Sequence, residues 1–265
     1  IFLSFFFFKE NGILIGFSLH MLLCSLFNQW LLSEIFKGRV FSGQMPESRV
    51  DVFKSLLGKA VPFLLSSIFV YPITWFTNRI LVEQPDGLYE LGLFNTTFQW
   101  RSIIIFFPMT IGQVLIPIFT SSIVNGDIAK IKRVLKLSIV ASAVVSVGFT
   151  VIILLLYPFL LDFYGDDFNI SIQLVIVTGL YTTISAVLLP MGNLINAAGK
   201  FWTGFYVNLG WAVVLVIAAW FLLINNYGAE GLAISYLIAY AFHMVWVVIF
   251  VFNYLKKASL HSERI

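Results

Sequence analysis

Arg79 and Arg101 are the residues whose chemistry contrasts most with their surroundings. The first lies near the end of the apolar stretch VPFLLSSIFVYPITWFTNRILV, the second early in FQWRSIIIFFPMTIGQVLIPIFTS. A guanidinium presents a rigid fork of N–H donors that matches phosphate geometry, which a lysine ammonium does not. Polar residues accompany both arginines at helical spacing. Ser67, Tyr71, Thr74 and Asn78 recur at intervals of 4, 3 and 4, and Asn95, Gln99, Ser102, Thr110, Gln113 and Thr120 fall on one stripe of the second stretch. Such periodicity describes a helix that lines a polar path or packs on another helix. Arg79 lies about 100° from Asn78, at the edge of the first stripe, where a long side chain reaches its polar side. Arg101 lies about 160° from Gln99, on the face of Thr97 and Pro108. The candidate binding residues are therefore Arg79, Asn78, Arg101, Gln99 and Gln113. For both arginines the competing expectation is structural: snorkelling to headgroups, or pairing with Glu83 and Glu90 across the short acidic loop between the two stretches.

These stretches have the length of membrane spans, because about 20 apolar residues at about 1.5 Å rise cross the hydrocarbon core. The whole chain has that character. Of its 265 residues 60% are hydrophobic and 11% charged, with a mean hydropathy of +0.95, whereas a soluble domain carries about 25% charged residues. The expected fold is an all-α, polytopic membrane helix bundle with seven complete spans, at about 12–36, 61–82, 93–121, 135–161, 169–196, 201–224 and 229–255. The opening IFLSFFFF, without Met, reads as the remnant of an earlier helix at 1–8, and the chain as a fragment. In residues 37–60, Val50, Phe53, Leu57 and Ala60 share a face. That pattern suits either a short interfacial helix or a juxtamembrane extension of the next span.

Loop charges set the orientation. Placing the C-terminus inside collects Lys37, Arg39, Arg49, Lys54, Lys59, Lys130, Lys132, Arg133, Lys136, Lys200, Lys256, Lys257 and Arg264 on one side, 13 of the 16 basic residues. The other side collects Glu10, Glu83, Asp86, Glu90, Asp162, Asp166, Asp167 and Glu230, 8 of the 13 acids. Basic excess marks the cytoplasmic side, so the C-terminus is expected there and both arginines toward the outside. Residues 12–36 and 229–255 can be laid over each other from Gly12 and Gly231, each closing a basic end, which reads as the last helix of each of two repeats. The expected organisation is the end of a first lobe at 1–36, a cytoplasmic linker at 37–60, a second six-helix lobe at 61–255 and a cytoplasmic tail at 256–265.

Other groups give less. His20 and His243 lie within spans, and His243 shares a face with Tyr236 and Tyr240, which reads first as a hydrogen-bonded structural histidine. Thr178, Thr182, Ser185, Gly192 and Asn196 form a stripe suited to close helix packing or to a cavity wall. Pro72, Pro108, Pro117 and Pro190 permit bending. No Asp or Glu stands mid-span, Cys24 is the only cysteine, and no nucleophile–base set, phosphate loop or metal spacing occurs. Neither a catalytic residue, a cofactor, a metal nor a nucleic-acid partner is expected.

N-x-x-L, an acidic loop, L-G-x-F-N-x-x-x-Q-W and the prolines of FFPMTIGQVLIPIFTSS together resemble Wzx-type flippases of the multidrug/oligosaccharidyl-lipid/polysaccharide exporter superfamily. NLINAAGKF and YGAEGLA fit the same pattern, and the resemblance covers about residues 12–255. It implies a two-lobed transporter of the bacterial plasma membrane that flips an undecaprenyl-diphosphate-linked oligosaccharide outward by alternating access, with most of the first lobe missing here. The lipid-linked oligosaccharide, membrane lipids, the first lobe and polysaccharide polymerases are its implied partners. A multidrug or cation exporter of the same superfamily is the alternative. A membrane polymerase or ligase fits least, since the longest outer loop, Glu83–Gly92, holds no histidine or arginine. Cysteines introduced at Asp127 and Asp166 test the orientation in intact cells. An impermeant thiol reagent should label the second and spare the first; the reverse result would invert the topology.

Overall fold

The computed structural model describes residues 2–36, 49–165 and 168–262, and these form eight helices. They are α1 (Phe2–Phe36), α2 (Arg49–Ile68), α3 (Val70–Val82), α4 (Gly87–Val124), α5 (Ile128–Tyr164), α6 (Ile172–Ala197), α7 (Phe201–Ile224) and α8 (Gly228–Ser262). Taken with α2 and α3 as one broken span, seven are long and apolar enough to cross a membrane, in agreement with the sequence reading. The chain divides into two compact units, Ile1–Val52 and Phe53–Ile265.

Several boundaries differ from expectation. The remnant at 1–8 is not separate: α1 runs unbroken from Phe2 to Phe36, with Ile15–Glu34 as its membrane-length section. Lys9, Glu10 and Asn11 tolerate helix, and Gly12 costs only about 1 kcal/mol relative to alanine. Arg49–Ile68 is likewise one helix running into the next span, so the juxtamembrane extension is what forms, while residues 37–48 lie outside the described ones. The expected loop Ile123–Val134 contracts to Asn125–Asp127, where the Asp127 carboxylate accepts from the Lys130 N–H at 2.9 Å and starts α5. Glu83–Gly92 contracts to Glu83–Asp86. In the loop before α6, Asp166 and Asp167 lie outside the described residues.

The break at Phe69 between α2 and α3 has a local cause. Pro72 has no N–H to donate to the Ile68 carbonyl, although Phe69 N–H still reaches the Leu65 carbonyl at 3.3 Å and Ile73 N–H the Phe69 carbonyl at 3.2 Å. Pro108 and Pro117 leave α4 continuous.

In the second unit the helices pack around α4, α6 and α8. One core cluster, including Leu81, Phe94, Ile104, Leu174, Tyr181, Leu215 and Leu232, lies toward the end that holds the α3–α4 and α7–α8 turns. A second, with Phe119, Ile131, Leu194, Val207 and Val247, lies toward the α4–α5 and α6–α7 turns. Lipid tails are as apolar as these side chains, so close contact and interhelical hydrogen bonds hold the bundle rather than exclusion of water. Small residues supply that closeness. Ser138, Ser142 and Ser146 form a buried stripe of α5, and Thr150 one turn on fits Gly179 of α6, where an added Cβ would lie 2.3 Å from the threonine methyl. Gly112 of α4 does the same for Asn193, whose Nδ2 donates to the Gly112 carbonyl at 2.9 Å.

In the α3–α4 turn Gly87 lies hard against the backbone at the end of α3. A Cβ on Gly87 would stand 2.3 Å from the Leu81 carbonyl oxygen and 2.5 Å from that of Val82. Backbone cannot yield as a flexible side chain does, so Gly87→Ala should destabilise the protein by about 1–3 kcal/mol. Thermal unfolding in detergent checks this, and an unchanged midpoint would show that the turn opens freely.

Candidate functional site

The two faces of α4 divide its polar residues. Phe94, Thr97, Trp100, Ile104, Pro108, Gly112, Leu115 and Phe119 are buried. Asn95, Gln99, Ser102, Thr110, Gln113 and Thr120 are all exposed. The polar stripe thus points away from the bundle, about opposite the packed face. Its hydroxyls satisfy themselves on their own helix: Ser102, Thr110 and Thr120 donate to the carbonyls of Phe98, Phe106 and Ile116 at 3.2, 2.9 and 2.9 Å. Asn95, Gln99 and Gln113 have no side-chain partner among the described residues.

Arg101 occupies the face of Thr97 and Pro108, as the helical geometry predicts, but that face is the core. It also lies deeper than expected. Since α4 starts at Gly87, Arg101 is about 21 Å along the helix at 1.5 Å per residue. Its guanidinium sits 5.1 Å from the Phe98 ring centre and 5.9 Å from that of Tyr181, and an Nη donates to the Tyr240 hydroxyl at 3.4 Å. Its Nε is buried without a partner. Among the described residues no carboxylate pairs with it.

The aromatic surround comes from three helices. Tyr181 of α6 stacks on Tyr240 of α8 with centroids 6.1 Å apart and planes 4° from parallel. Tyr236 lies 5.4 Å from Tyr181 and Trp211 of α7 lies 5.5 Å from Tyr240. Tyr181 is fully buried, with its hydroxyl unpartnered. Ring faces are negative and attract a cation, each contact contributing about 0.5–2 kcal/mol. They hold the guanidinium without neutralising it. Of this cluster the sequence reading found Tyr236, Tyr240 and His243 through their shared face and missed Tyr181 and Trp211. Helical spacing reports neighbours on one helix, and nothing in it relates Tyr181 to Tyr240.

Arg79 takes the structural alternative. Its side chain is 60% exposed and its Nε donates to Glu83 Oε1 at 2.9 Å, with the Trp75 ring centre 5.8 Å away. The expected reach toward the polar side of α3 is therefore corrected: an acceptor one turn along the same helix holds the side chain. Asn78 is half-buried with its Oδ1 unpartnered. Neither Glu90 nor Glu230 is a free loop acid. Glu90 Oε2 accepts from the Ala229 N–H at 2.7 Å and caps α8, and Glu230 accepts from the Ser171 hydroxyl, which itself caps α6. A carboxylate at a helix N-terminus meets the positive end of its dipole. His243 is not the hydrogen-bonded histidine expected: its Nδ1 is buried without a partner, and its ring lies 6.4 Å from Tyr240. In the α6 stripe, Thr178, Thr182 and Ser185 are buried in helix contacts, whereas Gly192 and Asn196 border a hollow. Among the described residues no group of three or more His, Cys, Asp and Glu could hold a metal ion.

A fixed cation inside a bundle of membrane-length helices is rare and marks a candidate functional position. No model of a known protein family matches the chain. The EPS I polysaccharide export inner membrane protein EpsE of Ralstonia nicotianae is 28% identical over 189 residues, covering 68% of this chain and 42% of that protein. Its counterpart from Ralstonia solanacearum is 24% identical over 182 residues, with the same coverage. The chain thus spans 42% of the length of these curated relatives. Among solved structures, the outward-facing conformation of a multidrug resistance MATE family transporter of the MOP superfamily matches with a TM-score of 0.74 at 14% identity, over 91% of this chain and 55% of that one. The chain shares its fold with that transporter, and the relatives matched by sequence are named as polysaccharide export proteins. The resemblance seen in the motifs is supported at that level.

An unneutralised guanidinium at this depth lowers stability, because a charge at the centre of a span costs about 2.5–3.5 kcal/mol on insertion scales. Arg101→Met, which keeps length and apolar contact, should raise the thermal midpoint of the purified protein or leave it unchanged. A drop of more than about 5 °C would mean that the arginine holds the fold together.

Proposed function

We propose that this chain is the second lobe, together with the closing helix of the first, of a Wzx-type flippase that moves an undecaprenyl-diphosphate-linked oligosaccharide across the bacterial inner membrane. Residues 1–36 close the first lobe, 37–60 link the two on the cytoplasmic side, 61–255 form the second lobe and 256–265 its cytoplasmic tail. The observation that carries the reading is Arg101, a cation within the span that has aromatic neighbours and one weak hydroxyl contact but no carboxylate among the described residues. A diphosphate entering the membrane needs such a partner, and arginine grips it with two parallel bonds.

The exposed stripe of α4 supports the same reading. Asn95, Gln99 and Gln113 facing lipid would leave amides without hydrogen bonds, at a cost of several kcal/mol each in hydrocarbon. Facing a water-filled passage between two lobes, they meet water and sugar hydroxyls. In alternating access the two lobes rock around this passage. Arg101 exchanges the Tyr240 hydroxyl for phosphate oxygens, and the amides accompany the sugars. The protein performs no bond chemistry in this scheme. A multidrug exporter is the second reading, favoured by the fold shared with a multidrug resistance transporter. A cationic drug would call for a carboxylate where Arg101 stands.

Removing one charge-assisted contact to phosphate costs about 1.5–3 kcal/mol. Arg101→Gln in the full gene product should therefore lower polysaccharide export by about tenfold to a hundredfold at unchanged membrane abundance, and Arg101→Lys should recover part. Arg79→Gln, which loses only a surface pair, should export nearly normally. Normal export by Arg101→Gln would remove the basis of this function.

A further inference from the structure

A hollow of about 690 Å³ opens beside the arginine cluster, lined from α2, α3, α4, α6, α7 and α8. Its inner wall is apolar and buried, with Leu188, Ile195, Val207 and Val247 each less than 7% exposed. Its rim is apolar and exposed, formed by Phe63, Tyr71 and Met109, and Met109 adjoins Thr110 of the polar stripe. No lining residue is charged. Its polar groups are few: Asn208 donates to Ser66 across the α2–α7 contact, Asn196 lines one side, and His243 lines it with an unpartnered Nδ1.

Two glycines keep the hollow open. Gly112, Gly179 and Gly210 let another side chain press against the helix, each with a neighbour under 3 Å from an added Cβ, whereas Gly148 of α5, away from the hollow, has none within 4 Å. At Gly192 an added Cβ would meet nothing within 4 Å, and at Gly204 only Asn196 Oδ1 at 4.0 Å. Alanine would be the better helix former at both places by about 1 kcal/mol. At the hollow, glycine in these two places adds to the empty volume and makes no close helix contact.

Tyr240 stands between the hollow and the charge. His243 on its wall is 6.4 Å from the Tyr240 ring, and the Tyr240 hydroxyl is 3.4 Å from Arg101. Head and tail of one amphiphile could lie on either side of Tyr240. We propose that this hollow is the tail site of the cargo: it takes the hydrocarbon next to the phosphate of a lipid-linked anion whose head pairs with Arg101. The inference rests on the function proposed above. A cavity of about 300–1,000 Å³ with apolar walls and a few polar groups is the usual form of a small-molecule site, and the uncharged lining excludes the phosphate itself. Only the first few isoprene units fit, so the remaining chain leaves past Phe63 and Tyr71 into lipid.

The test uses the full gene product in liposomes with two photoreactive probes, a short prenyl diphosphate and a phosphatidylglycerol, each carrying a diazirine on its chain. The prenyl diphosphate should form adducts on residues 188–208 and 243–247, in preference to the phosphatidylglycerol. Gly192→Leu and Gly204→Leu, which fill open space without a backbone clash, should cut those adducts about tenfold or more and slow export of the lipid-linked sugar. Equal labelling by phosphatidylglycerol would make the hollow a bilayer-lipid pocket and overturn the inference. So would undiminished labelling in both leucine variants. If those variants export normally while Arg101→Gln does not, the tail site falls and the flippase reading stands. If Arg101→Gln also exports normally, both fall.

Discussion

Hydrocarbon offers no hydrogen bonds, so each polar group inside a span must be satisfied by its own helix, by another helix or by enclosed water. Most of this bundle can be understood as compliance with that constraint. Ser138, Ser146, Thr150, Thr182 and Ser235 return their hydroxyls to carbonyls three or four residues back. Asn193 and Asn208 bond across helix contacts to Gly112 and Ser66. Among the described residues the exceptions are the buried groups of Arg101, Asn78, His243, Ser142, Thr178, Tyr181 and Trp211, and the exposed amides of α4. In the proposed reading Arg101 meets the cargo and the exposed amides of α4 meet the passage water.

The same constraint separates a stiff end of the bundle from a more yielding one. Where α3 meets α4 and α7 meets α8, Glu90 binds the start of α8 and Ser171 joins the start of α6 to Glu230. Carboxylates on helix N-termini, together with the Gly87 turn, tie four helices at this end. The hollow lies nearer the α6–α7 turn, beside the helix break at Phe69, and its wall includes Ser66 before the break and Val70 and Tyr71 after it. A helix interrupted next to an unfilled volume can change its angle at little packing cost.

The fold was largely legible from composition and hydropathy, because a bilayer imposes a span length that the sequence displays directly. Span number came out correctly for that reason. Helix ends came out short, since charged first turns such as Asp127–Lys136 and Glu90 look like loops but extend as helix beyond the hydrocarbon. The site was legible only in part. Helical angles put Arg101 correctly with Thr97 and Pro108. Yet a stripe of amides on α4 and a stripe of threonines on α6 look alike in sequence, and one faces outward while the other packs inward. Which face a neighbouring helix covers depends on contacts between distant segments. Arg79 was expected at the edge of the polar stripe beside Asn78, and its nearer partner Glu83, one turn along, decided its place.

In the proposed function Arg101, and not Arg79, is the fixed charge that meets a phosphate inside the span. A short, water-soluble prenyl diphosphate titrated onto the purified protein in detergent, followed by the intrinsic fluorescence of Trp211 and its neighbours, measures this directly. The account predicts saturable binding that weakens with salt, persists in Arg79→Met and is lost in Arg101→Met. Unchanged binding by Arg101→Met, with loss in Arg79→Met, would contradict it.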